Sequence, residues 1–256
     1  MIARIMILAW AIALLFLPQS AMAGPPFITD DPEPVDYQHW EINAFVAGGQ
    51  VHNEKSGAAP GLEVNYGALP DVQLHIIMPI AYDQISGGNV HYGYGDTELG
   101  VKYRFINPGK DDWWPQVGVF PLLEVPTGNA SKGLGATGEA REFLPIWLQK
   151  DFGEWTTYGG GGYWHNPGLG NKDNWFFGWL LQRKITDKLT LGGELFHQTA
   201  ETIITTPSNK DSTGFNLGGT YDFNENYHLL FSAGRGIQNA QTNDAFTYYT
   251  ALQWTF

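Results

Sequence analysis

Ionisable side chains recur at even positions between residues 98 and 104, where Glu98, Lys102 and Arg104 alternate with apolar residues. Successive side chains of a β-strand point to opposite faces, so these three charges are expected to share one face. Such a face can attract or repel a charged solute, or it can fill an interior with ion pairs. The same phase in other candidate strands adds the following charged or titratable residues: His75, Glu124, Arg141 and Glu194.

The charged face is expected to line the lumen of a membrane barrel. A Lys or Arg facing lipid at the bilayer midplane costs about 2–4 kcal/mol, so the charges must point inward if these strands span a membrane. Two interpretations of this face stay open. It either forms a salt-bridge and hydrogen-bond network that fills a narrow barrel, or it forms a constriction that selects solutes by charge.

Aromatic residues share the inward phase. Phe120, Phe143 and Trp147 fall on the predicted inner face, where their rings offer apolar contact and stacking to a ligand. This predicts a pathway for a small aromatic or hydrophobic solute. The alternatives are an aromatic core that plugs the lumen, or an error of one residue in the assigned register.

No catalytic constellation is evident. His91, His165 and His197 lie in or near candidate loops, with several Ser and Asp residues available. A catalytic group needs a partner within hydrogen-bond reach, and no local motif supplies one. The chain has no Cys, and it shows no zinc spacing and no phosphate-binding glycine loop. We therefore expect no enzyme activity, no metal and no cofactor.

The N-terminus reads as an export signal followed by a leader. Arg4 precedes an apolar run at residues 5–17, and Ala21-Met22-Ala23 has the small residues of a cleavage site. Residues 1–23 are therefore predicted to be a cleaved signal peptide. Residues 24–37, hereafter the leader, contain four prolines and cannot join a central strand ladder. The leader is expected to be a periplasmic segment or a plug.

Residues 38–256 predict an all-β, transmembrane, antiparallel up-and-down barrel of about twelve strands. Short and long connections alternate, which places both termini in the periplasm. The competing fold is a soluble β-sandwich. The predicted strands cover residues 38–47, 61–69, 71–82, 96–107, 113–125, 141–151, 154–164, 173–185, 188–198, 212–223, 226–235 and 245–256.

The last of these strands carries an aromatic stripe. Leu252, Trp254 and Phe256 fall on its outward face, which is typical of the assembly signal of an outer-membrane barrel. We expect this strand to pair with the first one, around residues 40–46, because closure removes both sheet edges.

Composition agrees with this class. The formal net charge is −12, which argues against nucleic acid as a partner because phosphate binding needs a basic surface. The chain has 32 Gly and 14% aromatic residues, as suits tightly packed barrel strands with aromatic girdles.

Prolines predict an irregular wall in the N-terminal half of the barrel. They lie in or beside the third, fifth and sixth predicted strands, and a proline removes a ladder hydrogen bond. Bulges that shape the wall are one explanation, and a lateral opening toward the bilayer is the other. The prolines concerned are Pro79, Pro115, Pro121, Pro126 and Pro145.

The leader motif Gly24-Pro-Pro-Phe-Ile-Thr-Asp-Asp-Pro-Glu-Pro-Val, followed by His39-Trp40-Glu41, resembles the start of a family of bacterial outer-membrane proteins. That family is described as a component of the meta pathway of phenol degradation. Similarity extends to Leu123-Glu-Val-Pro-Thr-Gly128 and to Phe143-Leu-Pro-Ile-Trp147. The resemblance implies an outer-membrane β-barrel that admits aromatic compounds, and it implies no catalytic residues.

These observations together predict a location in the outer membrane of a Gram-negative cell. We expect a channel or transporter for passive uptake or export of small solutes, aromatic or hydrophobic compounds among them. The alternative is a structural or ligand-binding barrel without a conducting pore. Expected partners are outer-membrane lipid and lipopolysaccharide, the barrel assembly machinery and a small-molecule solute. The sequence leaves the oligomeric state open.

Overall fold

A computed structural model describes residues 25–51, 54–85, 88–109, 112–135, 139–203, 210–239 and 246–256. The predicted signal peptide, residues 1–23, lies outside the described residues. The described residues form fourteen strand segments and one short 3-10 helix, Ala130–Lys132. Among the described residues, no helix is long and apolar enough to cross a membrane.

The strand segments are β1 (Trp40–Val51), β2 (Glu54–Leu69), β3 (Val72–Ile85), β4 (His91–Tyr94), β5 (Thr97–Ile106), β6 (Gln116–Val119), β7 (Leu122–Val125), β8 (Arg141–Phe152), β9 (Trp155–His165), β10 (Asn174–Thr186), β11 (Leu189–Gln198), β12 (Ser212–Asp222), β13 (Tyr227–Gln238) and β14 (Phe246–Thr255).

The segments form a closed antiparallel barrel of twelve wall strands, which confirms the predicted fold and strand number. β4 and β5 both pair with β3, so they are two parts of one wall strand. β6 and β7 both pair with β5 on one side and with β8 on the other, so they form a second interrupted strand. Every other strand pairs with its sequence neighbours, and β1 pairs with β14.

Closure occurs at the predicted seam between the two ends of the barrel. The Trp40 N–H donates to the Phe256 carbonyl oxygen at 2.8 Å, and the Phe256 N–H donates to the Trp40 carbonyl oxygen at 3.1 Å. On β14, Leu252 and Trp254 face outward and are exposed, whereas Gln253 faces inward and is buried. The terminal aromatic face therefore lies outside, and the barrel has no free edge.

Side chains along each wall strand alternate between the two faces, and on β5 the charged residues point inward and the apolar residues outward. Lys102 points inward and is buried, while its neighbours Val101 and Tyr103 point outward and are exposed. A broad apolar belt surrounds the barrel, which is what a lipid-facing surface needs. Its exposed members include Leu74, Leu99, Val101, Tyr103, Leu144, Ile146, Trp175, Phe177, Trp179, Leu181, Leu195, Leu217, Leu252 and Trp254.

Two predicted loops are partly strand. Residues 48–60 were expected to be a loop, but β1 continues to Val51 and β2 begins at Glu54. The ladder accommodates Pro60, because a register shift between Ala58 and Gly61 absorbs the proline. Residues 83–95 likewise contain the end of β3 and all of β4, which pair with each other.

The wall is irregular in its N-terminal half, where the prolines predict it. One wall strand is interrupted between β4 and β5, and the next between β6 and β7. Backbone hydrogen bonds bridge both interruptions: the Gly95 N–H donates to Pro79 O at 3.0 Å, and the Val101 N–H donates to Pro121 O at 3.2 Å. This arrangement favours bulges that shape the wall over the hypothesised lateral opening.

Candidate solute pathway

The leader lies inside the barrel. The backbone N–H groups of Ile28 and Thr29 donate to the Glu194 carboxylate at 3.0 and 2.8 Å. Farther along the leader, the N–H of Val35 donates to Oε1 of Gln73 at 2.8 Å. Glu194 belongs to β11 and Gln73 to β3, so the leader spans the lumen and is bound to two separate parts of the wall.

Missing side chains in the wall make room for the leader. A Cβ atom at Gly178 would overlap the hydroxyl of Thr29, and a Cβ at Gly118 would lie 2.9 Å from the Cβ of Pro32. These two glycines belong to β10 and β6. The wall is therefore shaped to accept the leader backbone at close range.

Lys102 is the wall cation that binds the leader most directly. Its Nζ lies 2.8 Å from Oδ1 of Asp30 and 3.6 Å from Oδ1 of Asp31, and it sits 5.0 Å from the ring centre of Phe120. Asp31 is fully buried. Burial raises the pKa of the Asp31 carboxyl well above its usual range, although the Lys102 charge opposes that shift.

Arg104 contacts one acid of the leader and one acid of the wall. Its Nη2 lies 2.7 Å from Oδ1 of Asp71, and its Nη1 lies 3.6 Å from Oε1 of Glu33. Gln149 adds a hydrogen bond of 2.8 Å from its Nε2 to the other oxygen of Glu33. Burial raises the pKa of Glu33, while the Arg104 charge and the Gln149 hydrogen bond act in the opposite direction.

Two further basic side chains of the lumen, Arg141 and His75, also lie near acidic side chains. The Arg141 guanidinium lies 3.1 Å from Glu124 and 3.4 Å from Glu201, and it stacks on Trp164 at 4.8 Å. The ring nitrogens of His75 lie 3.0 Å from Glu98 and 3.7 Å from Glu63. Each of these groups therefore contacts two carboxylates.

Aromatic and polar side chains occupy different sides of the lumen. Phe143 stacks on Trp164 with 4.7 Å between ring centres. It belongs to a buried cluster of Phe120, Phe143, Trp147, Phe176 and Phe196. The inner face of β1 to β3 is largely polar, with Asn43, Glu63, Asn65, Gln73 and His75 buried. One apolar cluster interrupts it, where Phe45 of β1 packs with Leu230 and Ala251. A solute in the lumen would contact an apolar surface on one side and hydrogen-bonding groups on the other.

Space remains in the lumen beside the leader. A cavity of about 1940 Å³ is lined by leader residues, by both sides of the wall and, at one mouth of the barrel, by turn residues such as Gly153, Asp187 and Glu225. Phe120, Phe143 and Phe176 border it, as do Glu98 and Arg141. The cavity is large enough for a small organic molecule, since ligand pockets commonly measure about 300–1,000 Å³.

The structure places all ten predicted lumen residues on the inner face and draws several of them together. Lys102, Phe120 and His75 are adjacent, because the His75 and Phe120 rings lie 5.2 Å apart. The leader acids Asp30, Asp31 and Glu33 were not predicted as wall partners. An acidic leader beside a lumen with inward bases is a signal that could have identified them.

The rim histidines form no catalytic chain among the described residues. His91 contacts a backbone carbonyl, His165 lies 3.2 Å from Asp173, and His197 contacts the Thr213 hydroxyl. None of the three connects an acid to a hydroxyl nucleophile. Within the same part of the chain, no group of three or more His, Cys, Asp or Glu residues could hold a metal ion.

Two solved structures share this architecture. An outer membrane channel from Pseudomonas putida F1 has a TM-score of 0.68 at 16% identity, covering 92% of this chain and 100% of that chain. The NanC porin has a TM-score of 0.57 at 8% identity, covering 84% of this chain and 98% of that one. At these identities the likeness establishes the shared fold. No protein-family model matches the sequence, and no curated protein matches it.

Proposed function

We propose that this chain is an outer-membrane channel for the passive movement of small solutes, partly filled by its own leader. The observation that carries the proposal is the cavity of about 1940 Å³ inside a closed barrel whose outer surface is an apolar belt. Only closed barrels and helices satisfy their backbone hydrogen bonds in lipid. The channel and the porin that share the fold support the same assignment.

We infer further that the solutes include aromatic or hydrophobic compounds. Phe120, Phe143, Phe176 and Trp164 border the cavity and offer stacking surfaces. The resemblance of the leader to the phenol-degradation family points to the same solutes.

The short connections at one end of the barrel support a periplasmic position for both termini. We propose that the chain is exported by a signal peptide that is then cleaved, and that the barrel assembly machinery inserts it by recognising the terminal Leu252, Trp254 and Phe256. The opposite end of the barrel would then contact lipopolysaccharide.

Swelling of proteoliposomes tests both levels of the proposal. Phenyl β-glucoside and methyl β-glucoside are suitable solutes, because both cross lipid slowly and differ in one aromatic group. A channel with an aromatic pathway admits both and admits the phenyl compound at least as fast, despite its larger size. A preference for the methyl compound would contradict the aromatic pathway alone. Exclusion of both would favour a structural barrel without a conducting pore.

A Phe143→Ala variant identifies the surface responsible for the preference. Phe143 stacks on Trp164 at the cavity, so its loss should reduce phenyl β-glucoside swelling more than methyl β-glucoside swelling. Phe177→Ala is the matched control, because Phe177 lies on the outer face and is exposed.

A further inference from the structure

Three cations of the lumen each contact two acids. Lys102 contacts Asp30 and Asp31, Arg104 contacts Glu33 and Asp71, and Arg141 contacts Glu124 and Glu201. All of these contacts are at most 3.6 Å. Each of these groups therefore holds one positive charge and two acidic side chains, and it carries a net negative charge when both acids are ionised.

The same imbalance extends over the whole cavity. Thirteen acidic side chains line the cavity and its mouth, against six from Lys and Arg. The leader contributes to the excess, because residues 24–37 contain four acids and no base. A cleft lined by one sign of charge, with low-dielectric walls, concentrates ions of the opposite sign.

The lumen also shows how a cation is held against an aromatic surface. The Lys102 ammonium sits 5.0 Å from the ring centre of Phe120, and the Arg141 guanidinium sits 4.8 Å from that of Trp164. In both cases carboxylates approach the charged group as well. Cation–π attraction and nearby carboxylates therefore act together at two positions along the pathway.

We propose that the channel selects cations over anions, and that its preferred organic solutes carry an ammonium group on a small aromatic or alkyl body. Such a solute repeats the arrangement of Lys102 and Arg141. Its charged end is attracted by the acidic lining, and its apolar body contacts the rings of Phe143 and Phe176. An aromatic anion of the same size meets the same rings and is repelled by the lining. The inference rests on the proposed channel function and specifies its substrate class.

Reversal potentials of the purified full-length protein in planar bilayers test this directly. In a KCl gradient, the reversal potential should lie between zero and the Nernst potential of K⁺. Two permanently charged ions of similar size then separate charge from shape, since benzyltrimethylammonium replaces K⁺ and benzenesulfonate replaces Cl⁻. The expected result is a several-fold higher permeability for benzyltrimethylammonium than for benzenesulfonate. A reversal potential of zero, or one shifted toward the Nernst potential of Cl⁻, would overturn the charge selection alone. Absence of any current would overturn the channel function with it.

Variants locate the source of the selectivity. Glu98 lines the cavity beside His75, so Glu98→Gln should reduce the ratio of K⁺ to Cl⁻ permeability. Glu142→Gln removes the same charge from an exposed position on the outer face of β8 and should leave the ratio unchanged. An equal effect of both variants would contradict control by the lumen lining. The wild-type measurement decides the question even where a variant fails to assemble.

Discussion

The Lys102 ammonium lies 2.8 Å from Oδ1 of Asp30, so a cation of the barrel wall is paired with an anion of the leader that crosses the lumen. Lys102 is almost completely buried, and Asp31 beside it is fully buried. The position of the leader therefore depends on electrostatics and on close packing, and each contribution can be removed separately.

Replacing Lys102 by Met should release the leader. The change leaves Asp31 buried without its nearest cation, and breaking a buried ion pair in this way costs about 3–5 kcal/mol. The leader can avoid that cost by leaving the lumen, so single-channel conductance should increase. Lys55→Met, at an exposed position at the start of β2, is the control. A heat-modifiable, folded Lys102→Met barrel with wild-type conductance would contradict this role.

Replacing Gly178 by Ala should displace the leader without altering charge. The new methyl group would overlap the Thr29 hydroxyl and lie 3.0 Å from the Thr29 Cβ, so we expect the leader to shift away from β10 and the conductance to rise. Gly49→Ala is the matched control, because a Cβ there meets its nearest atom at an ordinary 3.5 Å. Equal conductance of the two variants would show that the fit at Gly178 does not hold the leader.

Acidification should favour the position of the leader inside the lumen. Burial raises the pKa of Asp31 and of Glu33 in that position, whereas a released leader has carboxyl pKa values of about 4. The lumen-bound leader consequently binds protons more tightly. Its stability relative to the released state increases as the pH falls through the raised values, and the gain is complete below the ordinary values.

The measurement is the frequency of wide channel openings, recorded from neutral pH down to the ordinary carboxyl pKa of about 4. Wide openings should become rarer at lower pH, and the dependence should weaken in Asp31→Asn and weaken further with Glu33→Gln added. Openings that become more frequent on acidification would show that the sign of the linkage is wrong.

Deleting Phe256 should impair assembly before it affects transport. Its backbone forms a reciprocal pair of hydrogen bonds with Trp40 at the seam, and its ring stacks on Trp254 at 4.1 Å. The readout is heat-modifiable mobility of the membrane fraction, with Phe256→Tyr as a control that keeps the ring and the backbone contacts. Normal barrel formation after deletion would refute the role of this residue.

Sequence patterns predicted which face of a wall strand points inward, because a lipid-facing strand must place its charged residues on the other face. Lys102 and Arg104 cannot face an apolar belt without large cost, so their spacing determined the phase of β5 and of its neighbours. The pairing of the last strand with the first, around residues 40–46, followed from closure, because an unpaired first or last strand would leave an exposed edge.

The arrangement of the leader was beyond such patterns. Its position depends on a Cβ that is missing at Gly178 and on carboxylate contacts from Glu194 and to Lys102, which are remote from the leader in sequence. No periodicity records complementarity of this kind. The end of β1 and the start of β2 differ from the prediction for a different reason, since a register shift keeps the ladder intact through Pro60 and no alternation pattern records such a shift.

The most direct test of the central claim is the single-channel conductance of the purified wild-type protein in planar bilayers. A closed barrel whose lumen is shared by the leader and a cavity of about 1940 Å³ should give small, uniform current steps, and Gly178→Ala should enlarge them. A folded wild-type barrel that gives no steps, together with a silent Gly178→Ala variant, would contradict the account.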